Sequence, residues 1–170
     1  MPNVKPTQTR RAVFAGVAAL LALPASAQIE PFADTSGYSV ARVAGQNTCF
    51  ASLRSKSAAG QDFIYSYFQT QAGQRWHTIG YVSPAALLTG TATVRVSVDG
   101  TLALDRATQT QEGDFMLPFA VLEEITGLED MVPTGEFMTI EVAENNDTLA
   151  IELARYRDAL VSIDACLGAP

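Results

Sequence analysis

Alternating apolar and polar residues predict β-strands over most of the first two thirds of the chain. Val94, Val96 and Val98 alternate most strictly, which is typical of a strand with one buried face. Asp99-Gly100 follows directly and predicts a tight hairpin with a primed turn. Gln28–Ser36 is expected to be an extended and partly mobile lead-in. The other strands predicted in this region are Tyr38–Val43, Thr48–Leu53, Phe63–Phe68 and Gln74–Val82.

Helical spacing replaces alternation in two later segments. Leu117–Leu128 places apolar residues three and four positions apart, with Pro118 in the first turn, and predicts a short middle helix. Arg155–Leu167 predicts a C-terminal helix, and Phe137–Val142 with Thr148–Leu153 predicts a second hairpin between the two helices. The expected fold is therefore α+β, mainly antiparallel β and sandwich-like, with a short middle helix and a C-terminal helix.

The N-terminal residues, 1–27, have the three-part pattern of a cleavable signal peptide. Met1–Arg11 is polar and basic, Ala12–Leu23 is apolar, and small residues precede a cleavage point between Ala27 and Gln28. The apolar run is too short to span a bilayer, which takes about 20 helical residues. Arg10-Arg11 leaves both twin-arginine export and general secretion open. Residues 28–170 are expected to form a single exported domain, without a membrane span, in the periplasm of a Gram-negative bacterium or outside the cell.

Export determines how the two cysteines are interpreted. An even number of cysteines in an oxidising compartment predicts one disulfide, between Cys49 and Cys166. That bond would tie the C-terminal helix to the second strand. A metal site is disfavoured because it needs three or four ligands and His77 is the only histidine. A catalytic thiol would need a neighbouring base, for which His77 is again the one candidate.

Charge is unevenly distributed along the exported segment. Three of the eleven basic residues and none of the eighteen acidic residues precede Gln28, so the rest of the chain has a net charge of 8 − 18 = −10. Such a domain repels nucleic acid and favours a basic protein partner, although solubility alone also explains the charge. Eleven acidic residues and no basic ones lie between positions 107 and 154. Within this stretch, the candidate binding surface comprises Glu123, Glu124, Glu129 and Asp130.

Aromatic residues on two neighbouring strands suggest a second binding surface. Alternation requires about half of them to face away from the core, unless the helices cover that side of the sheet. Tyrosine and tryptophan are common anchors of protein interfaces. The candidates chosen on this basis are Tyr65, Tyr67 and Trp76.

Sequence motifs for catalysis or cofactor binding are absent. The chain has no glycine-rich phosphate loop, nucleophile elbow, HExxH or CxxC sequence. Glu144–Asp147 supplies several oxygens in a row, but this segment is better interpreted as the tip of a hairpin than as an ion site. We therefore expect no cofactor, no metal and no catalytic residue.

Segments near the two ends of the exported domain resemble a known family. Gly37–Val40 with nearby Cys49, and Leu149–Leu153 followed by Asp158–Leu160 and Cys166, are similar to the small periplasmic proteins of alphaproteobacteria related to invasion-associated locus B. The resemblance covers about a quarter of the chain. It implies an exported β-sandwich-like domain without established catalytic residues.

The function expected from these patterns is that of an exported, non-enzymatic interaction domain. Its partner would be a basic protein or an envelope component, in a role related to the envelope or to a host. Two alternatives stay open, a periplasmic inhibitor of a basic hydrolase such as lysozyme and a small hydrolase with an unrecognised site. The sequence leaves the oligomeric state open.

Overall fold

A computed structural model describes residues 28–83, 88–119 and 122–169, without the side chains of Leu122, Glu123 and Ile125. The predicted signal peptide lies outside these residues. The described residues form two helices, α1 (Leu122–Met131) and α2 (Leu153–Gly168). Their strands are β1 (Ile29–Thr35), β2 (Tyr38–Val43), β3 (Thr48–Lys56), β4 (Asp62–Thr70), β5 (Arg75–Val82), β6 (Thr91–Val98), β7 (Thr101–Gln109), β8 (Phe115–Phe119), β9 (Phe137–Val142) and β10 (Asp147–Glu152).

The strands form two antiparallel sheets. One sheet has six strands in the order β1-β2-β3-β4-β5-β8, and the other has four in the order β10-β9-β6-β7. Helix α2 packs on β1, β2 and β3 and also contacts β10, while α1 contacts β5 and β7. The predicted fold class, mainly antiparallel β with a short middle helix and a C-terminal helix, is confirmed.

One apolar core joins the inner faces of the two sheets to helix α2. Alternate residues of each strand enter it, as the pleat of a strand requires. Val94, Val96 and Val98 point inward as predicted and are almost completely buried. Larger side chains from the six-stranded sheet and from α2 fill the rest of the core; they include Tyr38, Phe63, Tyr65, Ile79, Tyr81, Phe119, Leu153, Tyr156 and Ile163.

The prediction for the middle helix is wrong at its beginning. Residues 115–119 form strand β8, and α1 begins only at Leu122. Phe115, Leu117 and Phe119 alternate inward and pair with Tyr81, Ile79 and His77 of β5. The segment is too short for its period to distinguish a strand from a helix. Pro118 lies in an edge strand, where its missing N–H does not interrupt a sheet.

Several other boundaries differ from those predicted, including the end of β3, which continues from Leu53 to Lys56. The expected lead-in is extended but forms edge strand β1, which pairs with β2 and carries a bulge between Pro31 and Ala33. The second strand of the Asp99-Gly100 hairpin, β7, is expected from its sequence to end at about Asp105 but continues to Gln109, because its pairing with β6 extends through polar residues. Helix α2 begins at Leu153, directly after β10, rather than at Arg155.

Arginines from other elements cap both helices. Neither helix has a basic residue in its last turn, where a positive charge favours the exposed carbonyls. Arg157 of α2 donates to the carbonyls of Val132 and Gly135, which follow α1. Arg42 of β2 donates to the carbonyls of Cys166 and Ala169 at the end of α2. Tertiary contacts therefore satisfy helix ends that the local sequence leaves open.

Candidate functional site

The predicted disulfide is present. It joins Cys49 of β3 to Cys166 in the last turn of α2, with the Cα atoms 6.3 Å apart. Both cysteines are buried. The bond therefore fixes the end of α2 to the inner face of the six-stranded sheet.

Tyr65 and Tyr67 do not lie on an exposed surface, so this part of the predicted aromatic surface is wrong. Tyr65 is 0% exposed and Tyr67 is 3% exposed. Their positions in β4 point toward α2, which covers this side of the sheet. Trp76 has the opposite orientation in β5, lies on the outer face and is partly exposed.

A cluster of four tyrosines and one histidine lies between the six-stranded sheet and α2. We call Tyr38, Tyr65, Tyr67, His77 and Tyr156 the tyrosine–histidine cluster; centroids of contacting rings are 5.1–6.2 Å apart. The Tyr65 hydroxyl lies 2.7 Å from Nδ1 of His77. Among the described residues, the buried hydroxyl of Tyr38 has no hydrogen-bond partner. Burial raises the pKa of Tyr65 and of Tyr156 well above the usual value, so both phenols stay neutral.

His77 is a neutral member of this cluster. Burial, assisted by the charge of Arg75, lowers the pKa of His77 to about 3. The imidazole stacks on Phe119 with centroids 4.9 Å apart and has no exposed surface. A substrate therefore has no path to His77, and the geometry favours a structural hydrogen bond to Tyr65 over acid–base chemistry.

This depressed pKa predicts a pH-dependent stability. The unfolded chain protonates His77 near its ordinary pKa of 6.5, whereas the folded chain does so only near 3. Lowering the pH through this window therefore favours unfolding. Between pH 7 and pH 5, the free energy of unfolding should fall by about 2 kcal/mol.

Urea denaturation of the parent and of His77→Gln at pH 7, 6 and 5 measures this effect. Glutamine keeps a hydrogen-bonding group beside Tyr65 but does not titrate. The difference between the two proteins isolates the histidine from the carboxylates. If the free energy of unfolding falls equally in the two proteins, the prediction is wrong, because His77 is then protonated in the folded state as readily as in the unfolded state.

The predicted acidic residues of α1 have different environments. Glu124 pairs with Arg106 at 3.5 Å, and Glu129 pairs with Arg75. Asp130 is exposed, and the side chain of Glu123 lies outside the described residues. The half-buried Glu124 and Glu129 are therefore not free charges, while a binding role for Asp130 and Glu123 stays a prediction.

Glu129 links the acidic candidates of α1 to the aromatic candidates of β4, which the sequence suggested as separate surfaces. Burial raises the pKa of Glu129, and the adjacent Arg75 opposes this rise. The charge of Glu129 is close enough to contribute, after burial, to the raised pKa of Tyr67. The edge of the tyrosine–histidine cluster is thus a half-buried ion pair.

In the folded protein, many carboxylates of the acidic stretch are paired with arginines or with backbone N–H groups. Arginines that precede the acidic stretch of positions 107–154 pair with carboxylates within it: Arg75 with Glu129, Arg95 with Glu141 and Arg106 with Glu124. Other carboxylates accept hydrogen bonds from backbone N–H groups, namely Asp114 from Ser83 and Glu144 from Thr93. Much of the acidic stretch therefore stabilises the fold instead of forming one solvated face.

Asp147 is the most buried of these carboxylates, with 3% exposure. Its Oδ2 accepts hydrogen bonds from Ser57 at 2.8 Å and from Tyr81 at 3.2 Å. The side chain of Asn145 donates to the Tyr81 hydroxyl at 2.8 Å. As expected, residues 144–147 form the tip of a hairpin, and this tip is hydrogen-bonded to the six-stranded sheet.

The outer face of the six-stranded sheet carries a row of stacked aromatic rings. Phe50, Phe68 and Trp76, which we call the aromatic row, are cross-strand partners on β3, β4 and β5. The rings of Phe50 and Phe68 are 5.2 Å apart, and those of Phe68 and Trp76 are 5.0 Å apart and almost parallel. None of the three belongs to the apolar core. Phe68 is nevertheless only 5% exposed, since it lies between the other two rings.

Of the three members of the row, only Trp76 is among the binding candidates chosen from the sequence. Alternation already places Phe50 on the face opposite Cys49 and Ala51, and Phe68 on the face opposite Tyr65 and Tyr67. Strand alternation would therefore have identified Phe50 and Phe68 if it had been known which face of the sheet α2 covers.

No protein-family model, curated protein or solved structure gave a significant match to this sequence. In the described part of the chain, no helix is both long and apolar enough to cross a membrane. Likewise, the described His, Cys, Asp and Glu side chains do not come together in any group that could hold a metal ion.

Proposed function

We propose that this protein is an exported interaction domain that binds a protein partner in the cell envelope through the outer face of its six-stranded sheet. The observation that carries the proposal is the aromatic row, an aromatic group that lies outside the core on the outer face of a sheet. Tryptophan and other aromatic residues are enriched in protein interfaces because they bury a large area with few rotatable bonds.

Export is the first part of this proposal. Its support is the signal-type pattern of residues 1–27 together with the disulfide, which is compatible with an oxidising compartment. The periplasm of a Gram-negative bacterium is the compartment that fits both. The resemblance to proteins related to invasion-associated locus B agrees with this location.

The choice of face is the second part. The outer face of the four-stranded sheet has Thr93, Ser97 and Thr139 around Arg95 and its two carboxylate partners. It also carries the exposed but unstacked side chains of Leu102 and Phe137. The outer face of the six-stranded sheet carries the aromatic row, whose Phe50 and Trp76 are partly exposed. Ala41 and Val43, on the neighbouring strand, are buried. Among the outer faces of the described strands, stacked aromatic rings lie on this face alone, and they are the reason for choosing it.

A photo-crosslinking residue at position 76 tests this proposal in cells that export the protein. Position 139 is the matched control, because Thr139 is partly exposed on the outer face of the other sheet. We expect a discrete covalent adduct from position 76 that weakens when Phe50 is replaced by lysine, and no such adduct from position 139. Equal labelling from both positions, or no adduct from position 76, would contradict the proposal.

A further inference from the structure

We infer that the partner bound by the aromatic row is a second copy of this chain, in a two-fold dimer formed face to face by the six-stranded sheets. The inference rests on the proposed function, since it names the partner of the same surface. It depends on the charge of the face, on the edges of the sheet and on the available area.

The outer face of the six-stranded sheet is neutral in a strongly acidic protein. Its charged side chains on the described strands are Asp34, Arg54, Lys56 and Asp62, two positive and two negative. Asp62 lies 3.3 Å from Arg54 and 3.2 Å from Lys56. The residues from position 28 onward carry eight basic and eighteen acidic side chains. Two copies repel each other less through this face than through the acidic remainder of the surface.

The edges of the same sheet are closed to strand addition. Edge strand β1 contains Pro31 and a bulge, and the other edge strand, β8, contains Pro118. Proline and bulges prevent edge-to-edge pairing of sheets. Association through this sheet therefore uses its face, and face-to-face packing about 10 Å apart is the ordinary way in which sheets associate.

The geometry of the aromatic row suits a second row. The Phe68 ring stacks on Trp76 at an interplanar angle of 5° and on Phe50 at 26°, so its neighbours cover both of its faces and it is only 5% exposed. Ring edges can interdigitate with side chains of an opposing sheet, whereas a flat ligand such as a sugar needs an exposed ring face.

The available area indicates a reversible dimer. Six strands about 4.8 Å apart, with about seven residues each, present a face of about 600 Å². A standard interface buries about 800 Å² on each partner. Interfaces below the standard size are typical of weak or transient association, so the dimer is expected to dissociate on dilution.

Salt dependence distinguishes this dimer from docking of a basic protein. Two copies with a net charge of −10 repel each other at long range, and salt screens that repulsion. Raising the salt concentration should therefore strengthen self-association. Binding of a basic partner to an acidic surface would weaken under the same change.

Sedimentation equilibrium of the purified exported protein at 50 mM and 500 mM NaCl is the test, with Trp76→Lys, Arg54→Glu and Thr139→Lys as variants. The parent should dimerise more tightly at high salt, and its single tryptophan should change emission on dilution. Trp76→Lys should weaken dimerisation by about tenfold or more. Thr139→Lys has the same charge change on the opposite side of the molecule and should match the parent.

Arg54→Glu keeps the test valid if Trp76→Lys disturbs folding, since the Arg54 side chain is 58% exposed. It makes the face acidic and should weaken the dimer at 50 mM NaCl, with recovery at 500 mM. A parent that stays monomeric at about 100 μM in both salts overturns the inference, and so does a dimer that neither variant affects. If the chain is monomeric but position 76 crosslinks to a different protein, self-association fails and the proposed function stands. Absence of both the dimer and the crosslink rejects both.

Discussion

Replacing Cys49 and Cys166 with alanine is expected to lower the free energy of unfolding by about 5 kcal/mol, the upper estimate of the chain-entropy model. The bond joins residues 117 positions apart, so its removal frees a loop that contains most of the described fold. A domain of this size is typically stable by about 5–15 kcal/mol. The loss should appear as a large decrease in the urea midpoint.

Single replacements serve as controls for the disulfide. Because one bond depends on both cysteines, Cys49→Ala, Cys166→Ala and the double variant should lose similar amounts, far from additive. Mass spectrometry of the parent should show a deficit of two hydrogens that reduction restores. A double variant within about 1 kcal/mol of the parent would mean that core packing alone holds α2 on the sheet.

Gly135→Ala is expected to destabilise the protein by about 3 kcal/mol, the upper end of the usual range for overpacking. A methyl group at this position would lie 2.8 Å from Cδ1 of Leu153, still closer to Cγ1 of Val98, and 3.1 Å from the carbonyl of Met131. The glycine thus allows the turn after α1 to pack against both β6 and the beginning of α2. Thermal and urea denaturation of the variant measure the loss.

Gly127→Ala is the matched control for this substitution. Gly127 lies in α1, and a methyl group there would meet nothing within 4 Å. Alanine is a better helix former than glycine, so this variant should be more stable than the parent by about 0.5–1 kcal/mol. Equal effects at the two positions would show that close packing at Gly135 is not the cause.

Strand periodicity predicted most of the fold because one face of most strands is polar. Strand β6 illustrates this, since its alternating valines are the buried side chains. Strand β8 could not be predicted in the same way. Phe115–Phe119 is apolar at nearly every position, and its identity as a strand depends on pairing with β5, which lies more than thirty residues earlier in the sequence.

The candidate site was only partly predictable for a related reason. Strand β4 is apolar on both faces, with Phe63 and Tyr65 on one side and Ile64 and Phe68 on the other. Sequence alone does not say which side α2 covers. The role of the acidic residues was hidden as well, because the partners of Glu124 and Glu129 are arginines in distant strands.

The two capping arginines are synthesised at different times relative to the helices that they cap. The donor that caps α1, Arg157, follows the carbonyl of Val132 by 25 residues. The donor that caps α2, Arg42, precedes the carbonyl of Cys166 by 124 residues. As the chain emerges from its N-terminus, α1 therefore begins without its cap, whereas α2 emerges after its cap has already been made. Helix α2 therefore completes the domain and also supplies Arg157, the donor that α1 lacks until then.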